Sequence, residues 1–418
     1  MTDSFPRGQV LNSDLSPRGV FPPDRHPEIE LLLEAARNSP DASAVNQMRT
    51  QASQITDWPR FIFLASKNRV LPQIYKNFSA LGVVPAAVLQ LLRQNCFEQN
   101  RRQLVLEAGL CSVFDLFEKE GIAVMPFKGA LLSHLLYQNA NLREYYDIDL
   151  LVTPEQVLQA KQVLENAGFI EWQHDQSAAQ KKATMRAENH FQMASPCRSY
   201  LVELHWDFFP WNLAVDAFQK DLRGFWERSV RIEWKSRSIL SPHPEDYFLI
   251  LCIHGSKHLW ERLGWISDIA QFLEIYPQMN LNKLRSRAKA QGIERMLLLG
   301  LHLAEKLQGK SQERGQVSKA NLSPFLALRQ HAIQRMFSLS DEKPRAIESG
   351  IFHLRMRERV CDRIHYIVRN TVIVLTPTAE EWKRVPLPDA LFFLYYLIRP
   401  IRLTWKYLCQ VFVRTNHY

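Results

Sequence analysis

The chain has 418 residues, enough for two or three domains or for one α/β core with helical extensions, and ample to bury a sizeable core. Its 46% hydrophobic and 23% charged residues exclude wholesale disorder, and 15 Gly against 22 Pro exclude a collagen-like or Gly-rich repeat. The net charge is +9, and residues 311–418 hold 17 Lys and Arg against 9 Asp and Glu, so the last quarter carries most of the excess; this favours a polyanionic partner (nucleic acid, nucleotide or anionic lipid) or else a solvated basic helix.

Residues 1–26 carry Pro6, Pro17, Pro22 and Pro23 without hydrophobic periodicity and are predicted to be a mobile tail. From 27 to 118, apolar residues recur at three and four, as in Leu31/Leu32/Ala35 and Val88/Leu91/Leu92, which predicts a helical N-terminal lobe ending in one long helix. The character changes over 119–240. Ile122 to Met125 is a short apolar run of strand length, Lys128-Gly129 is a turn, and Ala130 to Tyr137 is helical. Asp147 to Val152 forms a second strand; Thr153 then offers an N-cap and Pro154 a first helical position for a helix ending near Gly168. Phe169 to Trp172, Phe191 to Ala194 and Tyr200 to Phe208 read as further strands of a small mixed sheet. Over 241–376 the pattern returns to helix, opening at Pro244-Glu245-Asp246 and running through Trp260, then Ile266 to Ile275, Leu281 to Ala290, Ile293 to Leu307 and most of Ser323 to Asn370. A proline-marked break at Pro377, Pro386 and Pro388 precedes a basic, aromatic C-terminal helix over 377–418, centred on Ala390 to Val413 and interrupted at Pro400. The expected class is α+β.

The six cysteines are scattered without a C-x-x-C pair, and the leader is polar rather than apolar, so reduced thiols and a cytoplasmic location are expected. The longest apolar stretch, Ala390 to Ile398, is about half the roughly 20 residues that a membrane-spanning helix needs.

Asp147 and Asp149 stand two apart in a strand, so both carboxylates leave one face while Ile148 and Leu150 enter the other. Such a pair is costly without a cation, and hard oxygen ligands at this spacing suit Mg²⁺. In the strand from Leu201 to Phe208, Val202, Leu204, Trp206 and Phe208 share one face and Glu203, His205 and Asp207 the other. If the two strands are neighbours, Glu203 joins the aspartates in a three-carboxylate cradle for a pair of metal ions. Lys128-Gly129 puts a cation and an unhindered backbone at a helix N-terminus, a ready site for a triphosphate, although the Walker A spacing is absent. Arg143, four residues before Asp147, is a candidate phosphate clamp by its planar fork.

Phe127-Lys128-Gly129-Ala130, Leu142-Arg143 with Tyr146-Asp147-Ile148-Asp149-Leu150-Leu151-Val152, and Val202-Glu203-Leu204-His205-Trp206 resemble, in that order, the polymerase-β-type nucleotidyltransferase superfamily, and more narrowly its largely uncharacterised bacterial branch, over roughly residues 122–275. The resemblance implies a nucleotidyltransferase core that moves a nucleoside monophosphate from a nucleoside triphosphate (NTP) to an acceptor hydroxyl, with pyrophosphate leaving. It implies Mg²⁺ or Mn²⁺ held by Asp147, Asp149 and Glu203, phosphates held by Lys128, Gly129 and Arg143, and an acceptor that is a protein, an RNA or a metabolite. Two departures stand out: the loop reads Gly129-Ala130 where the superfamily usually has Gly-Ser or Gly-Gly, and Asp147 follows Gly129 by 18 residues, a longer step than usual. A degenerate nucleotide-binding or protein-interaction module, or a basic RNA-binding accessory protein, are the alternatives.

His254, Lys257 and His258 fall on one side of a helix at i, i+3 and i+4. Gly255 stands where zinc metalloprotease chemistry needs a glutamate, so the motif reads instead as Lys257 and His258 reaching NTP phosphates from the helical region, with Trp265 and Asp268 following as in the same branch, or as a polar seam between domains. No Ser-His-Asp or Cys-His arrangement and no zinc finger is present. Tyr395, Tyr396, Trp405 and Tyr407 among Arg399, Arg402, Lys406 and Arg414 fit a lid on the core best, with a nucleic-acid stacking face or a peripheral membrane-surface helix as the alternatives.

Overall fold

The computed structural model describes residues 26–137, 139–171, 185, 188–307, 322–339, 344 and 346–415; the expected tail therefore lies outside the described residues, apart from His26. Five helices lead: α1 (Pro27–Ala35), α2 (Ala42–Ala52), α3 (Trp58–Lys67), α4 (Leu71–Phe78) and α5 (Ala86–Lys119). Asp41 and Asp57 cap α2 and α3, accepting from the amides of Ala44 (2.8 Å) and Arg60 (2.9 Å), which satisfies donors that a helix start leaves free.

The central segment follows as β1 (Val124–Pro126), α6 (Gly129–Leu136), β2 (Ile148–Val152), α7 (Val157–Asn166), β3 (Ile170–Glu171), β4 (His190–Ala194) and β5 (Leu201–His205). The five strands form one mixed sheet in the order β1-β2-β5-β4-β3, with β2 and β5 parallel and the other pairs antiparallel. All five β2 residues are buried, as expected of a central strand covered on both faces. Thr153 does not cap the next helix: Pro154 to Gln156 form a turn and α7 begins at Val157, while the Gln156 side chain accepts from the amide of Ala123 (3.3 Å).

Two short helices, α8 (Asp216–Gln219) and α9 (Leu222–Glu227), lead to a hairpin, β6 (Val230–Trp234) and β7 (Arg237–Ser241), that the sequence reading had missed. Its turn residues Lys235 and Ser236 take φ of 48° and 59° without Asn or Gly, so the usual hairpin signal is absent. The signal that remained was the alternation of Val230, Ile232 and Trp234, and Trp234 is buried edge-on against Phe114 of α5.

The rest is helical: α10 (Pro244–Lys257), α11 (Leu263–Ile275), α12 (Leu281–Ala290), α13 (Glu294–Leu307), α14 (Leu322–Phe337), α15 (Ala346–Met356), α16 (Val360–Leu375), α17 (Ala379–Arg384) and α18 (Tyr395–Thr415). The chain is thus an α+β protein, a small mixed sheet framed by helices, and among the described residues one hydrophobic cluster joins buried side chains of the N-terminal helices, the sheet and the later helices, from Ile29 to Met356. Pro400 does not end the last helix, which continues through it. Nor does that helix act as a lid on the core: Tyr395 is buried, but Tyr396 and Trp405 are exposed, as are Leu397 and Ile401, while Tyr407 and the other side chains from 406 onward lie outside the described residues. Among the described residues no helix is long and apolar enough to cross a membrane.

Candidate functional site

Parallel pairing of β2 with β5 sets Asp149 directly opposite Glu203, and antiparallel pairing of β5 with β4 sets Gln192 opposite Glu203 and His190 opposite His205. Because side chains alternate along a strand, one sheet face carries the row Asp149, Glu203 and Gln192, then the row His205 and His190. Asp147, immediately before β2, reaches the same cleft.

That cleft, about 210 Å³, is also walled by Lys128, Gly129, Arg143, His254, His258 and Asp268. Gly129 opens α6 with a φ of +52°, and a Cβ there would lie 3.3 Å from the carbonyl oxygen of Asp147, so the close approach of the turn to the aspartate loop requires glycine. Lys128, the residue before α6, pairs with Asp149.

The three carboxylates differ in character. Burial and the neighbouring Asp149 push Asp147 up to about 6. Burial would raise Asp149 as well, but the Lys128 ammonium and the hydrogen bond from His205 hold it below the usual range. Glu203 is likewise held far below it, against the effect of burial, by His205, His190 and Lys128. The Asn189 amide fixes the histidines: its Nδ2 donates to His205 Nδ1 (3.4 Å), and its Oδ1 accepts from His190 Nδ1 (3.2 Å). His205 is thereby left to donate from Nε2 to Glu203 Oε2 (3.2 Å), with Asp149 Oδ1 at 3.3 Å.

Two donor sets for a metal therefore overlap at Glu203. Ligand atoms of His190, Glu203 and His205 lie within 4.8 Å of one another. In this hydrogen-bond arrangement, however, His205 presents a proton toward them, whereas Asp147, Asp149 and Glu203 present oxygens only. Burial and the neighbouring Asp149 raise Asp147, and a hard divalent cation suits this oxygen-only set.

Arg143 lines the cleft, but its guanidinium is engaged, donating from Nε to both oxygens of Asp268 (3.0 and 3.1 Å) and from Nη1 to the Gly129 carbonyl (3.4 Å). His254 and His258 do share a helix side. They pack with Trp265 at ring separations of 5.1 and 5.4 Å, and burial together with nearby Lys257 and Lys128 holds both imidazoles well below the ordinary value, so they form a neutral aromatic wall. Lys257 does not line the cleft; it is brought down to about 8 by burial and by Lys128, with Glu203, Asp149 and Glu188 acting in the opposite sense.

Sequence reasoning had not singled out Arg69 and Arg262, which line the same cleft. Both are placed by buried Asn68, whose Oδ1 accepts from the amide of Leu263 (2.8 Å) and whose carbonyl accepts from Gly264 (3.0 Å). Burial and Arg262 lower Arg69 from its ordinary value, and its guanidinium stacks 4.6 Å from the Tyr146 ring centroid. A lone arginine in a helical lobe carries no spacing signal, so nothing local could have marked Arg69. His190 likewise stood outside any motif.

The family model described as an uncharacterised nucleotidyltransferase matches residues 54–309, more than half of the chain, and the chain belongs to that family. No curated protein and no solved structure matches it.

Proposed function

We propose that this nucleotidyltransferase family member moves a nucleoside monophosphate from an NTP to an acceptor hydroxyl. The acceptor oxygen bonds to the α-phosphorus, the bond from that phosphorus to the α,β-bridging oxygen breaks, and pyrophosphate leaves with the electron pair while the acceptor proton passes to the carboxylate cluster. The observation that carries this reading is the register of Asp149 with Glu203 beside Asp147, facing Lys128-Gly129 across one cleft.

Asp147, Asp149 and Glu203 would hold Mg²⁺ or Mn²⁺, their oxygen-only donor set fitting a hard cation. When bound, the cation neutralises phosphate charge and increases the acidity of the acceptor hydroxyl. The chain's own groups do the rest. Lys128 and the first amides of α6 receive the phosphates, where helix N-terminal N–H groups favour anions. Arg69 and Arg262 add positive charge at the cleft wall, and Arg143 acts through the Gly129 carbonyl to hold the phosphate loop. His205 orients Glu203 and Asp149. His254, His258 and Trp265 supply an uncharged surface against which a base or sugar can pack.

The test is incubation with each α-³²P-labelled NTP and Mg²⁺ or Mn²⁺, with fractionated cell extract as acceptor source. Label on any macromolecule or metabolite with wild type, absent with Asp147→Asn/Asp149→Asn, supports transfer. A second reading, a nucleotide-binding module without turnover, is favoured by one contact: the Lys128 ammonium pairs with Asp149 itself. Metal-dependent NTP binding without any label transfer would select it.

A further inference from the structure

We infer that the groove beyond the carboxylate cleft receives the acceptor, and that this acceptor carries an ammonium group on an apolar body. The inference rests on the nucleotidyl-transfer reading for the acceptor role, but the binding chemistry stands by itself.

The groove is larger than the cleft, about 480 Å³, within the range of small-molecule sites. Its position follows from the sheet. Past the ends of β4 and β5 the pairing continues for one more step, with the Trp206 amide donating to the Asn189 carbonyl (3.1 Å). Glu188, Trp206 and Asp207, just past these strand ends, line the groove. Asp207 lies four residues past Glu203, at most ~14 Å along the chain, so the groove and the carboxylates are served by one continuous stretch of backbone.

The walls are aromatic and acidic. Trp206, Phe209, Trp211 and Tyr396 supply rings, Val372 and Ile373 of α16 supply aliphatic surface, and among the described residues no Lys or Arg lines the groove. Asp207 is anchored, its Oδ1 accepting from the Phe209 amide (3.1 Å) and its Oδ2 from Gln219 Nε2 (2.7 Å). Glu188 stands exposed at the edge. Among the described residues, two cations lie near. Arg369, 5.6 Å from the Trp211 ring centroid, is tied to Asp216, and Lys257 divides its field between Glu188 and the Asp149 and Glu203 carboxylates. The two cavities differ in make-up: Arg69, Lys128, Arg143 and Arg262 stand among the carboxylates of the cleft, whereas among the described residues carboxylates alone supply formal charge in the groove. Ring faces beside carboxylates attract an ammonium group through the ring quadrupole and charge-assisted hydrogen bonds, and they repel a phosphate chain such as an RNA end.

Three probes that share a phenylethyl body test this by calorimetry on the full chain: 2-phenylethylamine, 2-phenylethanol and 3-phenylpropionate. The amine is expected to bind at least ~10-fold more tightly than the alcohol, and the carboxylate not at all. Glu188→Gln, an exposed change, should remove most of that preference, and Asp207→Asn should do so if it folds; amine binding should persist in Asp149→Asn. Equal binding of amine and alcohol, or an unchanged preference in Glu188→Gln, overturns the inference. In the labelling assay, extract separated by cation exchange should yield labelled product from the cationic fraction, and less of it with Glu188→Gln. Label only in anionic material overturns the acceptor assignment while leaving nucleotidyl transfer intact. Amine binding with no label anywhere overturns the transfer reading and the acceptor role together.

Discussion

Arg143, in the loop before β2, donates through Nε to both carboxylate oxygens of Asp268 on α11, and Tyr137 Oη donates to the same Oδ1 at 2.9 Å. This contact joins the phosphate loop to the helical region, since Arg143 also holds the Gly129 carbonyl. Both partners are enclosed, so removing one leaves the other charge stranded. Asp268→Ala is expected to cost about 3–5 kcal/mol in denaturant unfolding, and Arg143→Met/Asp268→Leu to recover much of it. A double variant no more stable than the single one would place the cost elsewhere than in the stranded arginine.

Gly255 on α10 faces the indole of buried Trp260, and a Cβ there would come within 2.5 Å of the ring. The glycine that breaks a zinc-type motif in the sequence is therefore needed for packing. Gly255→Ala should destabilise by about 1–3 kcal/mol from overpacking. An unchanged denaturation midpoint would mean that Trp260 moves aside freely.

Asp147 is pushed up to about 6 by burial and Asp149, so in metal-free protein its ionisation at neutral pH opposes folding. Asp147→Asn should raise metal-free stability at pH 7.5 by about 1–3 kcal/mol. Mn²⁺ should raise the Tm of wild type and leave that of Asp147→Asn/Asp149→Asn unmoved. A similar Mn²⁺ shift in both would remove these aspartates from the proposed ligand set.

His353 on α15 is buried, and burial with nearby Arg357 brings it down to about 3. Between about 3 and the ordinary 6.5 the unfolded chain binds a proton that the folded chain does not. This contribution is complete above about 6.5 and is lost as pH falls toward 3. His353→Phe should lessen the acid slope of unfolding free energy by up to ~1.4 kcal/mol per pH unit. An identical slope in the variant would show that His353 takes up its proton in the fold.

Cys197 is exposed, and the Ser199 and Ser195 hydroxyls bring its thiol down to about 7, whereas burial pushes Cys252 up. Iodoacetamide at pH 7 should modify Cys197 well before Cys252, as read by peptide mass spectrometry. Faster labelling of Cys252 would contradict its enclosure.

Periodicity over short stretches was enough to mark α5, the five strands of the mixed sheet and most helices, because burial of one face leaves its period in the sequence. It was enough, too, to set Glu203 on the face it shares with His205, whereas Asp147, expected in the strand with Asp149, lies in a bend just before β2. It failed where the local signal was weak. The β6–β7 hairpin turns through Lys235-Ser236 instead of an Asn-Gly pair, and Thr153 resembles an N-cap but precedes a turn. The exposed stripe on the last helix, including Leu397, Ile401 and Trp405, has the same helical spacing as a buried one, so composition alone suggested a lid.

What the sequence determined by itself was which carboxylates, cations and rings could act, and on which side of each element they lie. The tertiary structure decided which of them meet. Asp149 adjoins Glu203 because β2 pairs with β5 across some fifty residues of chain, Arg69 enters the cleft because Asn68 grips the start of α11, and Arg143 is bound by Asp268 rather than left free. Side-chain direction is a local property of φ and ψ and repeats with the element. Convergence depends on long-range packing, which no single stretch of sequence encodes.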